Sequence, residues 1–104
     1  ELARRLEGTG VTANCLHPGG VATRFGSNNS GLLAAVFGVA IKLVGISPEE
    51  GAKTIIYLAS SPDVAGKTGG YYYKDKLVAP SPAAQNDADA KRLWDVSARI
   101  AGIG

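Results

Sequence analysis

The segment Asn14-Cys15-Leu16-His17-Pro18-Gly19-Gly20-Val21-Ala22-Thr23 decides the fold of this chain of 104 residues. It joins a short apolar run, residues 11–16, to a Pro-Gly-Gly break, which a β-branched residue and a threonine follow. An apolar run bounded by glycine and proline predicts a buried strand over residues 11–16. Glycines directly after a strand let a ligand approach the backbone, because no Cβ intervenes. The segment therefore predicts either a plain turn or a strand end that offers backbone and a hydroxyl to an amide or a phosphate.

The residues before this strand follow the pattern of a helix that ends at a glycine turn. Leu2, Ala3 and Leu6 have helical spacing, and Gly8 suits a C-terminal cap. No capping side chain precedes them and the chain has no methionine, so we expect the sequence to be part of a longer protein. A helix, a tight turn and a strand in this order are typical of α/β sheets covered by helices.

Two helices are predicted after the loop that residues 17–31 form. The apolar stretch 32–44 predicts a helix packed on a neighbour, and the alternatives are a lid over an apolar ligand or a helix on a membrane surface. Ser47 and Pro48 predict the start of the next helix, with Ser47 as the cap and Glu50 completing a capping box. The apolar stripe of that helix would consist of Ala52, Ile55, Ile56 and Ala59.

The last third of the chain predicts a strand, a loop and a helix. Residues 68–73 are glycine-led and aromatic, which favours a strand. Residues 74–86 are predicted to form a loop, and residues 87–101 a final helix that Gly102 ends. Leu93, Val96 and Ile100 share one side of this helix.

Composition indicates one soluble domain in a reducing compartment. Hydrophobic residues make up 45% and charged residues 19% of the chain, which is ordinary for a globular protein. A net charge of +2 gives no reason to expect nucleic acid as a partner. The single cysteine, Cys15, excludes an internal disulfide and makes a cytoplasmic location the default expectation. Its place in the strand predicts a small buried hydrophobe.

Several motifs together resemble the short-chain dehydrogenases/reductases. The pattern Asn14-x-x-x-Pro18-Gly19-x-Val21-x-Thr23 is similar to the segment after the sixth strand of that family. Residues 47–52 and 66–72 resemble its next helix and its seventh strand, and residues 92–97 resemble its retinol-dehydrogenase-like branch. The resemblance extends over nearly the whole chain, with the motifs in the family's order.

This resemblance implies a fold and a cofactor. The fold would be α/β, with residues 1–104 forming the C-terminal portion of a Rossmann-type doubly wound parallel sheet, its last two strands with flanking helices. The activity would be hydride transfer between NADP or NAD and an alcohol–carbonyl pair, the choice of cofactor being set outside this sequence. Family members would hold the nicotinamide carboxamide with the residues that match Pro18, Gly19, Gly20 and Val21. The position of Thr23 would contact the carboxamide or the pyrophosphate.

The family's catalytic residues have no counterpart here by the same resemblance. Its phosphate-binding glycine loop, its serine and its Tyr-x-x-x-Lys pair would precede Glu1, so we assign no catalytic residue and expect the chain alone to be inactive. Tyr72 and Lys76 match the pair literally, but the match requires a helix, where residues four apart lie side by side. A strand would place them about 13 Å apart, so we interpret them as a packing aromatic and a solvated lysine.

The remaining polar residues of the segment have structural interpretations. We interpret His17, the only histidine, as a hydrogen-bonded spacer and not as a metal ligand. Asn14 is expected to tie the strand end to neighbouring backbone. The expected partners are a small apolar alcohol or aldehyde, with membrane contact the less favoured alternative, and a second copy or a missing N-terminal part. The competing hypothesis is a non-catalytic module that acts by self-association or by packing on such a part.

Overall fold

The computed structural model describes residues 1–22 and 31–103. Within them the chain alternates helices with short strands, as an α/β protein does. The helices are α1 (Leu2–Arg5), α2 (Leu32–Val44), α3 (Pro48–Ser60) and α4 (Asp87–Ala101), with single 3-10 turns at Pro62–Val64 and Pro82–Gln85. The strands are β1 (Cys15–His17), β2 (Tyr71–Tyr73) and β3 (Lys76–Leu77).

The three described strands form one mixed sheet in the order β1-β2-β3. Strands β1 and β2 are parallel, with Leu16 opposite Tyr72, and α2 and α3 lie between them in the chain. A parallel pair joined through helices is the connection that such strands require. The α/β class and the pairing of two parallel strands are therefore confirmed.

Asn14 holds the two parallel strands together just before β1 begins. Its Nδ2 donates to the carbonyl oxygen of Lys67 at 2.9 Å, and its Oδ1 accepts from the backbone N–H of Gly70 at 2.9 Å. One side chain thus satisfies a donor and an acceptor of the neighbouring segment, as an amide is able to do. The prediction that Asn14 ties the strand end to neighbouring backbone is confirmed.

The segment 74–86, predicted to be a loop, begins with a hairpin, and the prediction was wrong there. Strand β3 pairs antiparallel with β2, with Tyr73 opposite Lys76. The turn residues Lys74 and Asp75 have φ values of 48° and 61°, as a tight hairpin turn requires. The N–H of Asp75 donates to Oγ1 of the buried Thr54 at 3.1 Å, so helix α3 fixes this turn.

The predicted first strand is shorter and less buried in the structure. Only Cys15–His17 is a strand, and both Val11 and Cys15 are exposed. Within the described residues Cys15 has a neighbouring strand on one side, because β1 lies at the edge of the sheet. The prediction that Cys15 is a buried hydrophobe is therefore wrong for this chain.

Helix α3 begins as predicted but buries another face. The Ser47 hydroxyl accepts from the backbone N–H of Glu50 at 3.1 Å and caps the helix. The Glu50 carboxylate lies 2.6 Å from Nζ of Lys53, so only half of the predicted capping box forms. The stripe around Ile55 is exposed, and the buried residues of the helix are Gly51 and Thr54. Small residues are buried in place of the apolar stripe because they let the helix approach the sheet closely.

Helices α1 and α4 contact each other through polar side chains. Arg5 stacks on the ring of Trp94, with its Cζ 4.7 Å from the ring centroid, and lies 3.4 Å from Oδ1 of Asp95. Arg4 pairs with Asp87. The apolar stripe of α4 that contains Leu93 and Ile100 is exposed, at 69% and 82% for these two residues.

Helix α4 ends where predicted, whereas helix α1 ends earlier than predicted. Helix α4 has the predicted bounds, and Gly102 ends it in the left-handed conformation at φ 68°. Helix α1 is shorter than predicted, since its C-cap is Leu6 and Gly8 lies in the following turn at φ 78°. Across the described ranges no helix combines the length and the apolar character that crossing a membrane would need.

Candidate functional site

The Pro-Gly-Gly segment lies at the carboxyl end of β1, where parallel sheets bind ligands. Gly19 has φ 84°, a left-handed conformation that favours glycine. The predicted residues Pro18, Gly19, Gly20 and Val21 are contiguous at this end. Thr23 lies outside the described residues, so its predicted contact stays a prediction.

A second segment pairs with the site and orients its backbone. Ile46, between α2 and α3, donates its N–H to the oxygen of Gly20 at 2.9 Å and accepts from the N–H of Ala22 at 2.8 Å. This is a parallel bridge between Val21 and Ile46. In such a bridge one residue bonds both neighbours of its partner, so the N–H and C=O of Val21 point away from Ile46. Val21 therefore presents a donor and an acceptor on one edge.

The side chain of Val21 packs directly on the first turn of α3. A Cβ built on Gly51 would lie 2.6 Å from Cγ2 of Val21, closer than packed carbon atoms allow. Gly45 makes a similar approach, since its Cβ would lie 3.1 Å from Cβ of Ala22. Sequence reasoning missed both glycines as parts of the site. The signal that could have identified Gly51 is a glycine inside the first turn of an otherwise well-capped helix.

Aromatic and aliphatic side chains surround one side of Gly19. A Cβ at Gly19 would lie 3.6 Å from Cδ1 of Ile46 and 3.7 Å from Cε2 of Tyr73. A Cβ at Gly20 would meet no atom of the described residues within 4 Å. Among these residues Gly19 is thus packed against the protein, whereas Gly20 has no neighbour at this distance.

His17 and Tyr73 belong to the site although the site prediction did not include them. Nδ1 of His17 accepts from the N–H of Gly19 at 3.0 Å, which confirms the interpretation of His17 as a hydrogen-bonded residue. The rings of His17 and Tyr73 lie 5.7 Å apart between centroids, tilted by 59°. In the ranges 1–22 and 31–103, no group of three or more His, Cys, Asp or Glu side chains is placed to hold a metal ion.

Tyr72 and Lys76 do not form an acid–base pair in the structure. Lys76 lies opposite Tyr73 across the hairpin, and neighbouring residues of a strand face opposite sides of a sheet. Tyr72 is 4% exposed, and its ring lies 6.4 Å from that of Tyr57. The interpretation as a packing aromatic and a solvated lysine is confirmed, but the reason is a hairpin and not one extended strand.

The arrangement can bind a planar amide. A carboxamide needs one acceptor for its NH₂ group and one donor for its oxygen, and Val21 offers both on one edge. The described residues leave room at Gly20 for a flat group to approach the backbone. The described residues near this edge are suited to binding and orienting such a group, with no paired acid and base among them.

Comparison with known proteins identifies the relatives of the chain. It is 47% identical over 105 residues to retinol dehydrogenase 14 of Mus musculus, covering 99% of this chain and 31% of that protein. It is 39% identical over 111 residues to retinol dehydrogenase 13 of Homo sapiens, covering 99% of this chain and 32% of the relative. It is 37% identical over 105 residues to dehydrogenase/reductase SDR family member 13 of Bos taurus, covering 100% of this chain and 28% of that protein.

The chain thus spans about a third of the length of these relatives. No family model matches the chain, and no solved structure was found to be similar to it. The similarity to the relatives covers nearly every residue of this chain, including the segment from Asn14 to Val21 that forms the site. The chain therefore belongs to the short-chain dehydrogenase/reductase family, and the relatives that it matches include retinol dehydrogenases.

Proposed function

We propose that the protein containing this chain is an oxidoreductase that transfers a hydride between a nicotinamide cofactor and an alcohol–carbonyl pair. The observation that carries the proposal is the edge of Val21, whose N–H and C=O point away from Ile46 at the carboxyl end of β1. The dehydrogenase names of the relatives support the reaction class. The complete sheet would be of the doubly wound Rossmann type.

Residues 18–21 would hold the cofactor by its carboxamide. The N–H of Val21 would donate to the carboxamide oxygen, and the C=O of Val21 would accept from the carboxamide NH₂. The hydroxyl of Thr23 would bind the carboxamide or the pyrophosphate. When bound, the nicotinamide supplies or accepts the hydride, whereas this chain orients the ring through backbone that is itself held by Ile46. NADP and NAD both fit this part of the site, because the carboxamide is common to them.

The substrate would be a small apolar alcohol or aldehyde. Helix α2 follows the site in the chain, and its side chains from Leu32 to Val44 are almost all apolar and mostly exposed. We propose that it borders the substrate site as a lid. The relatives are named for retinol, which belongs to the same chemical class of apolar alcohols. A cytoplasmic location, absence of nucleic-acid binding and assembly with a second copy remain part of the proposal.

The sharpest test is a methyl group added where the ligand would lie. Gly20→Ala places a Cβ where no described residue lies within 4 Å, so the fold should tolerate it. Crowding a packed contact costs about 1–3 kcal/mol, so the Kd for NADPH and NADH should rise about 5-fold or more. Fluorescence titration of the protein that carries this chain measures both constants.

Gly38→Ala is the matched control for that test. Gly38 lies in α2, and its added Cβ would also be farther than 4 Å from every other described residue that could contact it. The control should leave both cofactor constants unchanged. Equal constants for Gly20→Ala and the unsubstituted protein would contradict the assignment of this edge to the carboxamide.

A further inference from the structure

We propose that His17 is a positioning residue for the Val21 backbone edge, which would bind the carboxamide. Its neutral imidazole, with Nδ1 unprotonated, holds Gly19 in the left-handed conformation and thereby sets the direction in which Val21 presents its backbone. The inference rests on the proposed function for its consequence, because the direction of the Val21 amide matters only if that amide binds a ligand. The hydrogen bond itself is a property of the chain alone.

The hydrogen bond spans the point where the chain turns out of the sheet. His17 is the last residue of β1, and Gly19, which donates to it at 3.0 Å, has φ 84°. Only Gly20 separates Gly19 from Val21, so a rotation at Gly19 would redirect the N–H and C=O of Val21. The second anchor of this turn is Ile46, which bonds the far side of Gly20. The turn is thus held from both of its ends.

The structure also fixes the orientation of the imidazole. His17 pairs with Tyr73 in the parallel register of β1 and β2, and the two rings are in tilted contact. The Tyr73 ring in turn carries Nζ of Lys74 at 5.4 Å from its centroid and lies against Gly19. The His17 ring, which accepts from Gly19, and the Tyr73 ring, which lies against Gly19, therefore support each other. A register shift between the strands would remove both contacts.

The acceptor role defines the protonation state of His17. Imidazole nitrogen accepts a hydrogen bond only when it carries no proton, and a ring protonated on both nitrogens is a donor at each. The proton of the neutral ring must therefore be on Nε2. An Asn side chain is the closest replacement for His17 as an acceptor. Its Oδ1 occupies the position along the side chain that Nδ1 has in His17, and in turns it accepts from the N–H two residues later.

Two substitutions separate positioning from simple packing. His17→Leu keeps a branched side chain and removes the acceptor, whereas His17→Asn keeps the acceptor and removes the ring. Since a net hydrogen bond contributes about 0.5–1.5 kcal/mol, His17→Leu should raise the cofactor Kd about 2- to 10-fold, and His17→Asn should restore most of the affinity. Lys76→Ala, which changes the exposed residue opposite Tyr73, should leave the Kd unchanged. Melting temperatures of all variants check that they remain folded.

Nuclear magnetic resonance tests the hydrogen bond without any cofactor. In uniformly ¹⁵N-labelled protein, a coupling across the hydrogen bond should connect the Gly19 amide nitrogen with Nδ1 of His17. The nitrogen shifts of the ring should report Nε2 as the protonated atom. A ring protonated on Nδ1, or the lack of this coupling in the folded protein, would overturn the inference.

The titrations distinguish failure of the proposed function from failure of the positioning role of His17. An unsubstituted protein that binds neither NADPH nor NADH would refute the proposed function, and with it the positioning role. A protein that binds cofactor with equal Kd in its His17→Leu form would refute the positioning role alone. Loss of affinity in His17→Leu with recovery in His17→Asn supports both.

Discussion

Gly51 illustrates how the absence of one side chain determines a contact. Helix α3 lies so close to Val21 that its first turn has no room for a Cβ at this position. The same contact brings the capped N-terminus of α3 beside Val21, whose backbone would bind the carboxamide. A residue that contributes no atoms of its own to binding therefore supports the backbone that would bind.

We expect Gly51→Ala to destabilise the protein. The added Cβ would lie 2.6 Å from Cγ2 of Val21, and inserting a methyl group into packed structure costs about 1–3 kcal/mol. Urea unfolding should show this loss, and the double variant Gly51→Ala with Val21→Ala should recover part of it, because the clash is relieved.

Gly38→Ala serves here as the opposite case. Gly38 lies inside α2, where the described part of the chain would not crowd an added Cβ, and replacing glycine in a helix gains about 0.5–1 kcal/mol. The two substitutions are chemically identical, so opposite signs would isolate the contact with Val21. A free energy of unfolding unchanged by Gly51→Ala would show that α3 does not pack this closely.

At the scale of elements, local interactions set the bounds of the helices, whereas contacts between distant segments decide which helix residues are buried. The bounds of α2 and α4 follow from patterns within each segment, such as the Asn86 side chain that accepts from Ala88 and Asp89 and the left-handed Gly102. The predicted apolar stripe of α3 around Ile55 is exposed in this chain, and the residues buried instead are Gly51 and Thr54. Burial there depends on Val21 and the hairpin turn, which are distant in the sequence.

The hairpin turn offers a test at this scale. Lys74 and Asp75 both have positive φ, which costs a side chain such as lysine about 1–2 kcal/mol, whereas glycine, asparagine and aspartate adopt it more readily. The double variant Lys74→Asn with Asp75→Gly introduces the Asn-Gly pair that suits a tight hairpin turn. It should raise the free energy of unfolding by about 1 kcal/mol, as measured by urea unfolding. The N–H that donates to Thr54 is retained in the variant.

Thr54→Val provides the control for the hairpin. It removes the hydroxyl that accepts from Asp75 and keeps the shape of the side chain. We expect it to destabilise the protein by about 0.5–1.5 kcal/mol, the net value of one hydrogen bond. A turn variant that unfolds more readily than the unsubstituted protein would mean that strain at residues 74 and 75 does not limit stability.

At the scale of the whole molecule, the chain exposes more surface than a self-contained domain. Its accessible surface is 8180 Å², whereas a folded monomer of 10.6 kDa exposes about 5,500 Å². Its radius of gyration is 17.3 Å, compared with about 13 Å for a compact domain of this length. The large apolar side chains with the highest exposed fractions lie in α2 and α4, and include Leu33, Val44 and Ile100. Packing on further protein would cover them, which agrees with the chain's coverage of a third of its relatives.

We expect the isolated chain of 104 residues to show the consequences of this exposure. It should bind the dye anilinonaphthalene sulfonate, unfold over a broad urea range and lack dehydrogenase activity, because few side chains form a core and the Tyr72–Lys76 match is not a catalytic pair. A longer protein that includes this chain should unfold cooperatively and reduce or oxidise an apolar alcohol–carbonyl pair. Micromolar NADPH binding by the short chain alone would contradict the view that it holds only part of the site.

The sequence by itself determined what short-range interactions control. Four features were predictable, since helix caps, glycine turns and motifs depend on neighbouring residues. They are the capped start of α3 at Ser47, the span of α4, the strand end before Pro18 and the tie made by Asn14. Only the tertiary structure decided that Ile46 directs the Val21 backbone and that small residues of α3 are buried. The hairpin after β2 was also decided there. These features depend on segments far apart in the chain, whose distances no local pattern encodes.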